Sequence, residues 1–482
     1  MNSDQPGKLQ KKRSIFIFFS LLLIVSSGFY LRCESVFKTE VIKPLRADAS
    51  QYFMYAYNLR HKFTYSHQVG KPGDLDSPVK PDAVRSPGYP LFLALFVDGL
   101  PNRTMFSWIL FSQAIISTLT ILFTFLLFEK FLSPLWSSGI ALLVALSPHL
   151  IVSNSYILTE TLFCFLLVAF GFLFCLFAKK PSLWLGLGIG ATMGIAALVR
   201  PSLQFFPFIL ALFLMFHYGW KRGRRYSGVI LISFAMAFLP WIGRNMATLG
   251  IPTDNRLMIN FLHHGIYPDF MYKGIPQSHG FPYRYDPRAK EIAEDPPSVL
   301  KEISNRFSRA PSRHAKWYLL DKPMVFWSWN IIQGYGDAFV YPVSSSPYFH
   351  NTFFRITHRL MFILHYPFVV LALFGCLMVW FPLTKLGLTQ GSLLVARFCS
   401  LLLIYFTVIH VVGAPFPRYS VPLRPYLYGM ALFMPYILIR AIRKNRVPIP
   451  VFEQQNEEIF KIHTKYNRDL RYQHIVLLSK SL

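Results

Sequence analysis

The chain has 482 residues, of which 53% are hydrophobic, 17% aromatic and only 15% charged, against a charged share of roughly 25% in soluble domains; its mean hydropathy is +0.37. The formal charge is +26, from 49 Lys and Arg against 23 Asp and Glu. In a chain of repeated apolar runs the positive-inside rule accounts for that excess, and with no soluble basic domain and no binding motif it argues against nucleic acid as a partner. Cys164, Cys175, Cys376 and Cys399 lie in apolar runs, where cysteine behaves as a small hydrophobe, and Cys33 is alone at a helix end. No spacing among the five suggests a zinc site or a disulfide framework.

In chain order, Lys8, Lys11, Lys12 and Arg13 precede an apolar run, Ser14–Leu31. No small-residue cleavage site follows cleanly, so the run is read as an uncleaved first span. Further spans are expected at Phe106–Phe128, Leu135–Leu150, Thr161–Phe177, Leu183–Val199, Leu203–Trp220, Tyr226–Ile242, Met361–Phe381, Leu393–Val412 and Pro425–Ile439. The expectation is an all-α polytopic membrane protein of about ten transmembrane helices. Phe92–Val97 is too short to span and reads as an interfacial or re-entrant piece. Ser298–Leu320 reads as one amphipathic helix, and no internal repeat of the kind many transporters carry is evident.

Lys and Arg near the span ends orient the chain. With the N-terminus inside, Lys130, Lys179, Lys180, Lys221, Arg222, Arg224, Arg225, Lys385, Arg440, Arg443, Lys444 and Arg446 are all inside. The short outer turns hold only Arg200, Arg418 and Arg424. The long connections 32–105 and 243–360 then fall outside, as do Glu160 and Arg244. A transmembrane domain over 1–442 and a cytoplasmic tail over 443–482 complete the expected organisation, with both termini cytoplasmic.

The first outer connection carries Asp48 in Leu45-Arg46-Ala47-Asp48-Ala49-Ser50-Gln51-Tyr52, at the start of a short helix expected over Ala47–Arg60. Tyr52, Tyr55, Ala56 and Leu59 share one face of that helix. Position alone favours the plain role for Asp48, capping the helix. The connection closes with Arg85-Ser86-Pro87-Gly88-Tyr89-Pro90, a tight turn. Its plain role is an interfacial anchor, with Tyr89 at headgroup level and Arg85 snorkelling.

Glu160 follows Thr159 at the outer end of a span. A charge at a helix centre costs roughly 2.5–3.5 kcal/mol, less near the interface, and a carboxylate there faces a polar cavity more often than lipid. Arg200-Pro201, Arg244-Asn245 and Arg418-Tyr419-Ser420-Val421-Pro422 put arginine on the side where the orienting rule disfavours it. Guanidinium groups bind phosphate through paired hydrogen bonds, so a convergent set suits a lipid phosphate, whereas separate snorkelling residues are the plain alternative. In the second outer connection, Trp327-Ser328-Trp329-Asn330 and Gly334-Tyr335-Gly336-Asp337 suit sugar stacking or an ordinary interfacial fold, the latter favoured. His263-His264 has no partner at metal-ligand spacing.

Together these motifs resemble the GT-C superfamily of integral membrane glycosyltransferases, in particular the bacterial group similar to dolichyl-phosphate-mannose-protein mannosyltransferases that includes aminoarabinose transferases. The resemblance extends to about Ile439 and lies in the order and common outer placement of short motifs. It implies a polyprenyl-phosphate sugar donor, a lipid, glycan or protein acceptor, and a site at the outer face of the cell (inner) membrane. It implies Asp48 and Glu160 as catalytic acids, and Arg85, Tyr89, Arg200, Arg244, Arg418 and Tyr419 as substrate-binding residues. No cofactor is required, and a divalent metal is optional. Asp48 is followed by Ala49 where eukaryotic protein mannosyltransferases carry a second acid, and no Asp-x-Asp element of the oligosaccharyltransferase kind is found. The resemblance therefore does not carry protein O-mannosylation or N-linked transfer with it. A surface-polysaccharide ligase or polymerase shares the lipid-linked donor but need not carry the early Asp connection. A lipid or sugar transporter is expected to carry acids or broken helices near the midplane, where this chain is almost entirely apolar.

Overall fold

The computed structural model describes residues 5–70, 77–332 and 334–446. The chain divides into two units, Met1–Met434 and Pro435–Leu482. In chain order the elements begin with α1 (Gln5–Lys38), β1 (Glu40–Val41), α2 (Ala47–Lys62), α3 (Gly88–Ala94), α4 (Arg103–Glu129), α5 (Pro134–Leu146), α6 (Pro148–Val152), α7 (Glu160–Lys179), α8 (Leu183–Val199), α9 (Phe206–Tyr218) and α10 (Trp220–Leu249). The second long connection holds α11 (Arg256–Gly265), α12 (Ala289–Ile292), α13 (Pro296–Arg309), α14 (Pro311–Lys316), α15 (Lys322–Phe326), β2 (Val343–Ser345) and α16 (Pro347–His350). The spans resume with α17 (Thr352–Met378), α18 (Gln390–Val412) and α19 (Arg424–Arg446). The expected tail from Val447 onward lies outside the described residues.

Among the described residues eight helices are long and apolar enough to cross a membrane, and a bent pair, Pro134–Leu146 with Pro148–Ser155, makes a ninth. Leu183–Val199 is apolar but shorter. The architecture is the expected all-α polytopic one. The expected span Leu135–Leu150 is not one straight helix: it bends by 52° at Ser147-Pro148. Pro148 has no N–H, so the Val144 carbonyl loses its intrahelical donor. Arg32 supplies the replacement, donating from Nη2 to Val144 O (3.1 Å) and from Nη1 to Ala145 O (3.2 Å). Irregular backbone within a membrane bundle requires such a partner.

The helices α8 and α10 meet closely because α8 presents glycine every fourth residue, at 186, 190 and 194. A Cβ at Gly194 would lie 2.6 Å from the Ala237 methyl. Small residues of this kind let helix backbones approach in a bilayer, where packing rather than the hydrophobic effect drives association.

The helix α2 forms where expected, but Phe53, Tyr57 and Asn58 are buried along with Tyr52, Tyr55 and Ala56 of the expected face, while Leu59 is only half-buried. The following chain wraps over it, and Asn58 Nδ2 donates to Ser66 O (2.8 Å) and Gln68 O (2.9 Å). The short apolar piece begins at Gly88 and packs against α2 and α8. The expected helix Ser298–Leu320 is broken at Ala310, because Pro311 disfavours helical geometry in the residue before it. A two-stranded antiparallel pairing, Glu40 opposite Ser345 and Val41 opposite Val343, ties the two long connections together.

Candidate active site

Ala47 adopts the left-handed region (φ 46°), at a cost of roughly 1–2 kcal/mol for a residue with a Cβ. That turn starts α2 and places Asp48 in its first turn. Asp48 does not cap the helix: the N-cap position is Arg46, and no side chain caps there. Its carboxylate is instead shared by two arginines. Arg85 Nη2 donates to Oδ1 (2.7 Å) and Arg418 Nη1 to Oδ2 (3.1 Å).

Arg85 is fixed by Gln51, which accepts from its Nε (2.8 Å), and lies over the Tyr52 ring at 5.3 Å. Tyr52 meets Tyr89 edge to face. The Tyr89 hydroxyl donates to Gln113 Oε1 (2.9 Å), and Gln113 Nε2 donates to Asn154 O (3.2 Å) and Tyr156 O (2.9 Å). The missing side chain of Gly88 matters at the turn: a Cβ there would lie 2.6 Å from Val199 N and 2.8 Å from Leu198 O. Only glycine lets the Arg85–Pro90 turn sit on the end of α8, next to Arg200.

Glu160 opens α7 and is 2% exposed. Its Oε1 accepts from Arg200 Nη2 (2.9 Å) and from Arg418 Nε, while Oε2 is buried without a hydrogen-bond partner. Arg200 also donates from Nε to Thr159 Oγ1 (3.0 Å), and its guanidinium lies 4.8 Å from the centre of the Tyr419 ring. Arg418 therefore bridges both acids. Three guanidiniums face two carboxylates, which leaves one positive charge in excess. Burial pushes the Asp48 carboxyl up, but Arg418 and Arg85 outweigh it and hold the group below its ordinary value.

Five charged residues far apart in sequence thus converge at one place. Tyr89 and Tyr419 flank them. Arg244 stands apart: it donates to Asp82 O (2.8 Å) and Tyr65 O (3.1 Å) and stacks on Tyr65 and Trp241. Tyr65 in turn donates to Arg85 O (3.0 Å), so Arg244 reaches the cluster only through the chain that carries Arg85. Sequence reasoning missed Gln113, whose signal is a lone amide inside an apolar run.

The second connection offers less open chemistry. Trp329 is buried, donates from Nε1 to the Asp337 carboxylate and packs edge to face on His149. His263 bonds to the Tyr267 hydroxyl (2.9 Å), which donates to Asp286 (2.8 Å). Burial pushes both His263 and His264 down to about 4. Among the described residues, no group of three or more His, Cys, Asp or Glu side chains converges as a metal ion would need.

No family model and no curated protein sequence matches the chain. Solved structures do. The oligosaccharyltransferase of Archaeoglobus fulgidus in its apo form is 14% identical, with 92% of this chain and 54% of that one covered at a TM-score of 0.50. The same organism's oligosaccharyltransferase AglB, in complex with an inhibitory peptide and a dolichol-phosphate, is 13% identical, covering 94% and 55% at 0.49. ArnT from Cupriavidus metallidurans bound to undecaprenyl phosphate is 13% identical, covering 82% and 77% at 0.40. The chain spans about half the length of the oligosaccharyltransferase structures it matches. At these identities the likeness is one of fold, shared with the oligosaccharyltransferase in its apo form.

Proposed function

We propose that the chain is a glycosyltransferase that moves a sugar from a polyprenyl-phosphate donor to an acceptor hydroxyl at the outer face of the cell membrane. The observation that carries this reading is the charge count of the cluster. A lipid phosphate esterified to a sugar is a phosphodiester with a single negative charge, which matches the single uncompensated guanidinium. The fold shared with the oligosaccharyltransferase and the Lys and Arg asymmetry of the span ends support the same reading.

In the reaction the acceptor oxygen attacks the sugar C1 as the bond from C1 to the phosphate oxygen breaks. The bonding pair leaves with the polyprenyl phosphate, and attack from the opposite face inverts the anomeric centre. Asp48 takes the hydroxyl proton. A carboxylate held by two guanidiniums is a weak base, so the donor has a second role: its phosphate draws Arg85 and Arg418 and frees Asp48 to accept a proton. Arg85, Arg418 and Arg200 then stabilise the charge that grows on the leaving phosphate. Glu160 holds Arg200 and Arg418 in place. Arg244 and Tyr65 position the Arg85 chain, and Tyr89 and Tyr419 wall the site.

The test compares lipids, glycans and surface polymers by mass spectrometry in cells with the native chain, without it, and with Asp48→Asn. Loss of one sugar from one acceptor is expected without the chain. Asp48→Asn, once shown to insert and fold, is expected to reduce transfer by roughly 10²–10⁴-fold, the usual contribution of a general base. Full transfer by this variant overturns the role of Asp48.

A further inference from the structure

The second long connection sends one segment in among the membrane-spanning helices. Three contacts fix the depth of Trp327–Trp329. Trp327 Nε1 donates to Thr407 Oγ1 of α18 (3.1 Å), a residue about 7.5 Å inside the end of that helix at 1.5 Å per residue. His365 of α17 bonds through Nε2 to Trp327 O (2.7 Å), about 9 Å further along the helix than the exposed Arg359. His149, at the break between α5 and α6, bonds through Nε2 to Trp329 O (2.9 Å). Two carbonyls of an irregular segment are thus satisfied by histidines of two membrane helices and its indole N–H by a hydroxyl of a third, as polar groups at membrane depth demand.

The segment is also fastened along its length. Lys322 is fully buried and donates from Nζ to Val411 O (2.8 Å) and Gly413 O (2.9 Å), closing the last turn of α18. Trp317 and Phe326 face inward. The opposite edge is apolar and open: Leu319, Leu320 and Met324 are 71%, 60% and 72% exposed. The segment packs on α18, whose Val408 and Val412 are likewise exposed and apolar. The ion pair of Lys316 with Asp321 (2.6 Å) and Arg313 form its polar end, where headgroups offer charge and water.

We infer that the segment 317–329 is a re-entrant element, inserted between α17 and α18 into the leaflet on the side of the charge cluster, with Leu319, Leu320 and Met324 in contact with acyl chains. The burial of three large apolar side chains in hydrocarbon holds it there. It packs on the turn that carries Arg418, so the lipid surface backs one wall of the site.

The test uses the full chain in phosphatidylcholine vesicles with Cys33→Ser, and with Met324→Cys or Leu319→Cys carrying a polarity-sensitive fluorophore. Leu300→Cys on α13, 57% exposed, is the aqueous control in the same connection. Nitroxide-bearing acyl chains are expected to remove most of the emission at 324 and 319 and little at 300. A membrane-impermeant maleimide is expected to label 300 and spare the other two. Labelling of 324 and 319 to the level of 300, with no quenching by lipid nitroxide, overturns the inference. No readout uses transfer, so the transferase reading can fail without touching this one.

Discussion

Two buried polar regions hold this bundle together, and they are built on opposite terms. In the cluster around Asp48, charges face charges: Arg418 spans Asp48 and Glu160, with Arg85 and Arg200 at the two ends. In the clamp around Trp327–Trp329, carbonyls are held by histidines, and Arg424 donates to His365 Nδ1 (2.5 Å) with no carboxylate partner among the described residues. Arg424 only donates, so His365 accepts at Nδ1 and carries its proton on Nε2, aimed at Trp327 O. The two arginines leave the chain six residues apart. Neither region is closed on itself, since Arg424 Nε and Nη2 in the clamp and Glu160 Oε2 in the cluster are buried without a hydrogen-bond partner; but only the cluster brings carboxylates and guanidiniums together, whereas the clamp's histidines are spent on backbone carbonyls. The clamp has the features of a fastening and the cluster those of a site.

The sharpest way to break that contrast is to remove the bridging guanidinium. Arg418→Met leaves Asp48 with Arg85 alone and Glu160 with Arg200 alone. Disrupting a buried pair of this kind costs about 3–5 kcal/mol, read as a lowered midpoint of thermal unfolding in detergent, and sugar transfer is expected to disappear. A stable Arg418→Met protein with native transfer would remove the cluster from the proposed mechanism.

Gly88→Val tests the scaffold of the same cluster. The added side chain meets the backbone of Leu198 and Val199, and overpacking of this kind costs roughly 1–3 kcal/mol. The displaced turn carries Arg85, so donor KM is expected to rise as well. His365→Phe tests the other region. It strips the donor from Trp327 O, at about 1–3 kcal/mol for an unsatisfied buried group, and is expected to lower the unfolding midpoint with donor KM unchanged. Equal effects of both variants on KM would erase the distinction between site and fastening.

What the sequence made legible followed from cost. Arg200, Arg244 and Arg418 stand where the orienting rule disfavours them, and Glu160 stands where a charge is expensive to insert. That signal marks a residue held by something, without saying by what. Arg200 and Arg418 meet carboxylates, while Arg244 meets the carbonyls of Tyr65 and Asp82. Asp48 was ambiguous for the same reason, since a first-turn acid suits a cap as well as an ion pair. The bend at Ser147-Pro148 has a local signal in Pro148, but its repair by Arg32 is a contact across 112 residues. The re-entrant segment was hidden by averaging: a short apolar stretch around Leu319–Trp329 sits inside a long polar connection, too short to register as a span. Gln113 was hidden in the reverse way, as one amide in an apolar helix.

The smallest expected effect separates the regions by pH. Burial raises the Asp48 carboxyl and the two guanidiniums lower it further than burial raises it, so its folded value lies below the unfolded one, near 3.9 for a free aspartate. A group shifted in that direction contributes stability in full above its unfolded value and loses it as pH falls through the folded value. The unfolding midpoint of the native chain is therefore expected to decline as the pH drops below about 4, and Asp48→Asn is expected to flatten that decline. His365→Phe removes no carboxylate and is expected to lower the midpoint already at neutral pH. A native acid limb in Asp48→Asn would mean that the ion pairs to Arg85 and Arg418 contribute nothing to the folded state. The cluster would then be held open by its scaffold of Gln51, Tyr52 and Tyr89 alone, and its charges would be free to serve the donor.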